Sequence, residues 1–67
     1  MELKTARRIA RITQHELATR AGVDPALISR LENGNGRRPS YEAIVRIARA
    51  LNLAPDELFP IEDKRAV

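Results

Sequence analysis

The sequence predicts an all-α fold, a set of five short helices closing on one small core. Three observations carry that expectation. Apolar residues recur at helical spacing along nearly the whole chain, and no stretch alternates as a strand would. Helix signals punctuate the chain, with Thr13, Asp24 and Ser40 as start residues and Gly22, Gly34 and Asn52 as stops. A length of 67 residues admits a single domain, which at this size buries only about 60% of the surface its unfolded chain exposes. That domain is expected over residues 1–59, leaving 60–67, where no helical stripe continues, as a short C-terminal tail.

The first helix spans about residues 2–10, with Leu3, Ala6 and Ala10 on one stripe and Lys4, Arg8 and Arg11 turned from it; Ile9 falls off the stripe. The second has the clearest start. Thr13-Gln14-His15-Glu16 reads as a capping box, in which the Thr13 hydroxyl accepts the Glu16 N–H and the Glu16 carboxylate accepts the Thr13 N–H. Ile12 and Leu17 on either side of it form a hydrophobic staple, and Gly22 ends the helix after Ala21 by taking the left-handed conformation. The third helix restarts with Asp24 as cap and Pro25 in the first position, where its missing N–H costs nothing, and runs to about Asn33. Residues 34–39 form a loop. Ser40 caps the fourth helix, whose Tyr41, Ile44, Ile47, Ala48 and Leu51 make an apolar stripe, with Glu42 and Arg46 as an i,i+4 pair on the outer side. A fifth helix at about 55–59 opens on Pro55, with Asp56 and Glu57 complementing its dipole. Ala54 is a poor cap, so this helix depends on the packing of Leu58.

Composition narrows the function. The absence of cysteine excludes disulfides, thiolate metal ligands and cysteine nucleophiles, and a single histidine, His15, excludes a His-rich metal cluster. No Ser/His/Asp arrangement or paired carboxylates can be assembled, and Gly34-Asn35-Gly36 is a turn rather than a phosphate-cradling loop, so no enzyme is expected. No cofactor, metal or small-molecule effector is called for. No apolar run approaches the ~18 residues of a membrane span, which leaves a soluble, cytoplasmic domain as the expectation. Aromatic residues are Tyr41 and Phe59 alone, too few for single-strand binding on stacking platforms. Ten of the 12 cations are arginine; residues 1–49 carry 10 cations and 5 anions, and residues 50–67 carry 2 and 4. A basic body with a mildly acidic end is compatible with a polyanion partner, and arginine is suited both to phosphates and guanine edges and to buried ion pairs.

Two short helices joined by a glycine turn between Gln14 and Asn33 make a helix-turn-helix unit. Ala18 is small enough for a close crossing, and Leu17, Ala21, Val23, Ile28 and Leu31 supply the apolar seam. Opposite Ile28 and Leu31, the third helix presents Ala26, Ser29, Arg30 and Asn33, a short-chained face with one charge, where a merely solvated helix would more often alternate Glu and Lys.

With those residues in place, residues 3–59 resemble the Cro/repressor-type, XRE-like family of helix-turn-helix DNA-binding domains. The resemblance is carried by Thr13-Gln14-x-Glu16-Leu17-Ala18, Ala21-Gly22-Val23, Ile28-Ser29-Arg30-Leu31-Glu32-Asn33-Gly34 and Arg38-Pro39-Ser40. It implies a compact five-helix repressor-like domain with the third helix in the major groove. It also implies that Gln14 bonds a DNA phosphate, that Pro25, Ala26, Ser29 and Arg30 lie where base edges are read, and that Asn33, Arg37 and Arg38 meet phosphates. Arg30 suits a forked contact to guanine, and Ala26 a thymine methyl. Pro25 departs from the polar residue usual there and serves the helix start. Asn33 reads equally as a helix C-cap, and for the two loop arginines the lesser alternative is ordinary loop charge. Leu27 is a second departure, open to packing on the fourth helix, a thymine methyl or a protein contact. Arg7 and Glu32 match the family's structural ion pair between the first helix and the end of the third.

Function follows as two competing expectations. One is a sequence-specific double-stranded DNA-binding transcriptional regulator, a repressor that binds a palindromic operator as a homodimer, with Leu53, Leu58, Phe59 and Ile61 as candidate dimer residues, the first three of which, Leu58 above all, can equally finish the core of their own chain. The other is a protein-interaction module, antitoxin-like or adaptor, docking a partner on the third helix through Leu27.

Overall fold

Capping geometry sets the helix boundaries. In the computed structural model, which describes residues 1–34 and 39–59, the elements are α1 (Leu3–Ile9), α2 (Gln14–Ala21), α3 (Pro25–Glu32), α4 (Tyr41–Ala50) and α5 (Pro55–Leu58). The fold is all-α, and no strand occurs among the described residues. Thr13 Oγ1 accepts the Glu16 N–H at 3.0 Å while Glu16 accepts the Thr13 N–H at 2.9 Å, closing the capping box of α2. That bond from the Thr13 backbone leads the causes that hold the Glu16 carboxyl below the usual carboxylate range; it outweighs the opposing desolvation, and the Thr13 hydroxyl and Arg20 add to it. Asp24 Oδ1 accepts the Ala26 N–H at 2.8 Å and Ser40 Oγ the Ala43 N–H at 3.2 Å. At α5 no side chain caps the start, and Glu57 instead accepts the Ala54 N–H at 3.3 Å.

Where chain direction changes, positive φ does the work. Gly22 sits at φ 71°, and Asn52 at φ 58° turns the chain between α4 and α5. Arg11 at φ 61° has no glycine-like freedom, and a left-handed arginine costs about 1–2 kcal/mol. It is held there because the turn must deliver Ile12, 9% exposed, into the core and its carbonyl to the Arg7 side chain at 2.8 Å.

The core lies between α2 and its neighbours. α2 packs on α3 and on α4, α4 on α5, and α1 on α3. Leu17, Ile28 and Ile47 are fully enclosed, with Ala18, Ala48, Ala21, Leu3, Ala6 and Leu58 around them. Ala18 and Ala48 carry no bulk, which allows the helix axes to approach closely.

Two sequence expectations, for Ala10 and Tyr41, change here, and the one for Ile9 holds. Ala10 is exposed rather than on the buried stripe, because α1 ends at Ile9 and Ala10 already belongs to the turn. Ile9 is 66% exposed, which settles its place off the stripe. Tyr41 shares the α4 stripe by spacing but is 72% exposed, since the first turn of α4 projects past the core that receives Ile44, Ile47 and Ala48.

Candidate nucleic-acid interface

The α2–turn–α3 unit is assembled from the inside. Ile28 is the one fully buried residue of α3, seated against α2, while Leu31 and Val23 are half-buried at the edge of the same cluster. The rotation this imposes turns the opposite side of α3 outward: Pro25, Ala26, Arg30 and Asn33 are exposed and Ser29 is half-buried. Asp24, at the head of the helix, uses its carboxylate on the Ala26 N–H. Leu27 is half-buried at the margin of this face and is not among the residues packed on the core. Asn33 is the C-cap of α3, its N–H bonded to the Ser29 carbonyl at 3.1 Å, and its side chain is exposed. Arg37 and Arg38 lie outside the described residues.

Beneath this face, one buried carboxylate collects donors from two other elements. The Glu32 side chain is 1% exposed, and its Oε2 accepts Arg7 Nε at 2.6 Å. Oε1 accepts both Arg7 Nη2 at 3.1 Å and Gln14 Nε2 at 3.0 Å. Arg7 Nη1 donates to the Ile12 carbonyl, so the end of α1, the α1–α2 turn, the start of α2 and the end of α3 are tied together. Burial alone would push the Glu32 carboxyl up; the hydrogen bonds from Arg7 and Gln14, with the charges of Arg7 and Lys4, outweigh it and hold the group below the usual carboxylate range. Reciprocally, the hydrogen bond to Glu32 raises the Arg7 guanidinium further above its already high value, against some desolvation. No buried side-chain nitrogen or oxygen is left without a partner among the described residues.

The Gln14–Glu32 bond lies beyond the reach of sequence patterns. Gln14, half-buried at the first position of α2, has its amide nitrogen engaged inside the chain as well as standing at the candidate interface. A separation of 18 residues carries no local signal that would have revealed it. Across the α2–α3 turn, Arg46 bonds Glu42 at 2.7 Å and reaches to 3.5 Å from the Gly22 carbonyl, so the turn is flanked by a cation from α4.

The candidate dimer residues divide. Leu58 is only 5% exposed and packs in the core of its own chain, the alternative the sequence already offers for it, where it holds the four-residue α5 in place. Leu53 and Phe59 are half-buried on the edge of the core, and Ile61 lies outside the described residues. His15 is exposed, no group of three or more His, Cys, Asp or Glu residues stands together among the described residues, and none of their helices is long and apolar enough to cross a membrane.

Two helices crossing over alanines, linked through a left-handed glycine and presenting one short-chained outer face, define a helix-turn-helix domain. The chain belongs to the helix-turn-helix family, whose model matches residues 3–58. It is 36% identical over 63 residues to an uncharacterised HTH-type transcriptional regulator of Sinorhizobium fredii (strain NBRC 101917 / NGR234), a match covering 88% of this chain and 32% of the relative. The chain thus spans about a third of the length of that relative. No solved structure matches the chain significantly.

Proposed function

We propose that the chain is a sequence-specific, double-stranded DNA-binding transcriptional regulator that acts in the cytoplasm as a repressor, two copies placing α3 in successive major grooves of a palindromic operator. The observation that carries this reading is the orientation of α3: with Ile28 locked into the core, Ala26, Ser29, Arg30 and Asn33 are turned outward as one narrow face. Such a face fits the major groove, which admits one α-helix and displays a distinct donor and acceptor pattern for each base pair. The named relative, a transcriptional regulator over a longer chain, supports the same direction. In this reading Gln14, Asn33, Arg37 and Arg38 bond phosphates, Arg30 reads guanine and Ala26 a thymine methyl, while Pro25 and Asp24 set the start of the helix.

Titration of a labelled duplex over a range of salt concentrations tests it. Phosphate-dominated binding should weaken steeply, with a log–log slope near −0.9 per neutralised phosphate. A flat response, equal for random and selected duplexes, overturns DNA binding and leaves protein docking at the margin of α3 near Leu27. Arg30→Ala should relax preference at one base position per half-site, removing roughly 1–3 kcal/mol of discrimination. Selection from random duplexes that returns an unchanged site would remove Arg30 as a reader. Two copies should occupy half-sites about one helical turn (~34 Å) apart; one-to-one binding on a duplex with paired half-sites overturns the pairing.

A further inference from the structure

We infer that Glu32, whose side chain is 1% exposed, is a positioning residue for the phosphate contact of Gln14, and that the Arg7–Glu32 pair therefore serves binding as well as folding. This rests on the reading of Gln14 as a phosphate ligand. A carboxylate only accepts hydrogen bonds, so the bond at 3.0 Å to Glu32 Oε1 fixes which end of the Gln14 amide lies at the start of α2: the nitrogen, not the carbonyl oxygen. A phosphate oxygen also only accepts. The amide nitrogen carries two hydrogens, and among the described residues Glu32 is the one side chain that takes either of them. Held this way, Gln14 satisfies the interior acceptor with one N–H and presents the other to an exterior one, without the rotamer and amide-flip search of an unanchored side chain.

The charge arrangement makes the device compatible with DNA. An unpaired carboxylate behind the interface would repel the phosphate that Gln14 is to bind. Arg7 meets Glu32 through two nitrogens, Nε and Nη2, and cancels that charge locally. Its third contact, from Nη1 to the Ile12 carbonyl, fixes the guanidinium against the residue immediately before the α2 capping box. The orientation of the amide is thus set by a side chain 18 positions away on α3, so the phosphate clamp on α2 and the reading helix α3 are held in one register.

The test compares the effect of Gln14→Ala on duplex affinity in two backgrounds: the intact chain and the charge-free variant Arg7→Met with Glu32→Leu. Exchanging both partners of a buried ion pair for apolar residues leaves no stranded charge and is expected to preserve the fold. Gln14→Ala should weaken binding of the intact chain roughly two- to ten-fold on every duplex, the range of one hydrogen bond. In the charge-free background the same substitution should cost less than about 1.5-fold, because the unanchored amide has already lost most of its contribution. An equal loss in both backgrounds overturns the positioning role while leaving the phosphate contact standing. No loss in the intact chain overturns the phosphate contact itself. A second measurement needs no variant: in the unmodified chain the two side-chain amide protons of Gln14 should respond unequally to added duplex, the one bonded to Glu32 staying in place. Equal movement of both protons overturns the proposal.

Discussion

Glu32→Leu in the otherwise unchanged chain should destabilise the domain by about 3–5 kcal/mol, because it leaves the Arg7 guanidinium largely buried with no carboxylate to meet it. A 67-residue domain at ~0.05–0.15 kcal/mol per residue has only about 3–10 kcal/mol in total, so this variant should be partly unfolded at room temperature. Adding Arg7→Met should restore most of the loss, since the cost lies in the stranded charge rather than in the absence of a bond. Urea unfolding followed by circular dichroism checks both, and a single variant as stable as the double one would refute the buried-charge account. The same pair sets an acid limit. The Glu32 carboxyl is held below its unfolded value, so its contribution is fully present above the ordinary carboxylate range of about 4.3 and is lost as pH falls through the lowered folded value. Arg7 titrates far above any working pH and adds no slope in this window. Stability of the intact chain should therefore fall more steeply below about pH 4.3 than that of the charge-free variant; matched slopes would count against this carboxylate as the source.

Ile28→Ala should cost about 2–5 kcal/mol, the range for removing a fully enclosed aliphatic side chain and leaving a cavity. Its consequence goes beyond stability. Ile28 is the one fully buried residue on α3, so its loss removes the anchor that fixes the rotation of that helix and thereby the direction of Arg30. Duplex binding should weaken for all sequences, and preference at the position read by Arg30 should blur in the same variant. Ser29→Ala, at the neighbouring half-buried position, should change stability by no more than about 0.5 kcal/mol. An Ile28→Ala chain with an unmoved unfolding midpoint would show that α3 is seated by something other than this contact.

Most of the fold was legible because helix starts and stops are local events. The Thr13–Glu16 reciprocal caps, the Asp24–Pro25 start, the Ser40 cap and the left-handed Gly22 each follow from residues within four positions of one another, and each stands where the sequence predicts it. The inward turn of Leu17, Ile28 and Ile47 was legible for a related reason: periodicity points one side of each helix at whatever it packs against. Helix ends were less so. α3 stops at Glu32, one residue short of Asn33, since the last turn is released to a cap whose geometry depends on the chain beyond, whereas the stops Gly34 and Asn52 do stand left-handed just past the caps of α3 and α4.

What the sequence by itself determined is therefore the inventory of helices, their apolar sides and the short-chained outer face of α3. Tertiary structure alone decided that Tyr41 stands exposed although its spacing places it on an apolar stripe. It also decided that one Glu32 oxygen serves Arg7 and Gln14 together, across 25 and 18 residues. Periodicity records which way a side chain points from its own helix axis, whereas burial and long-range hydrogen bonding depend on how far the neighbouring helices extend and at what angle they cross, distances that exist only once the chain has folded back on itself.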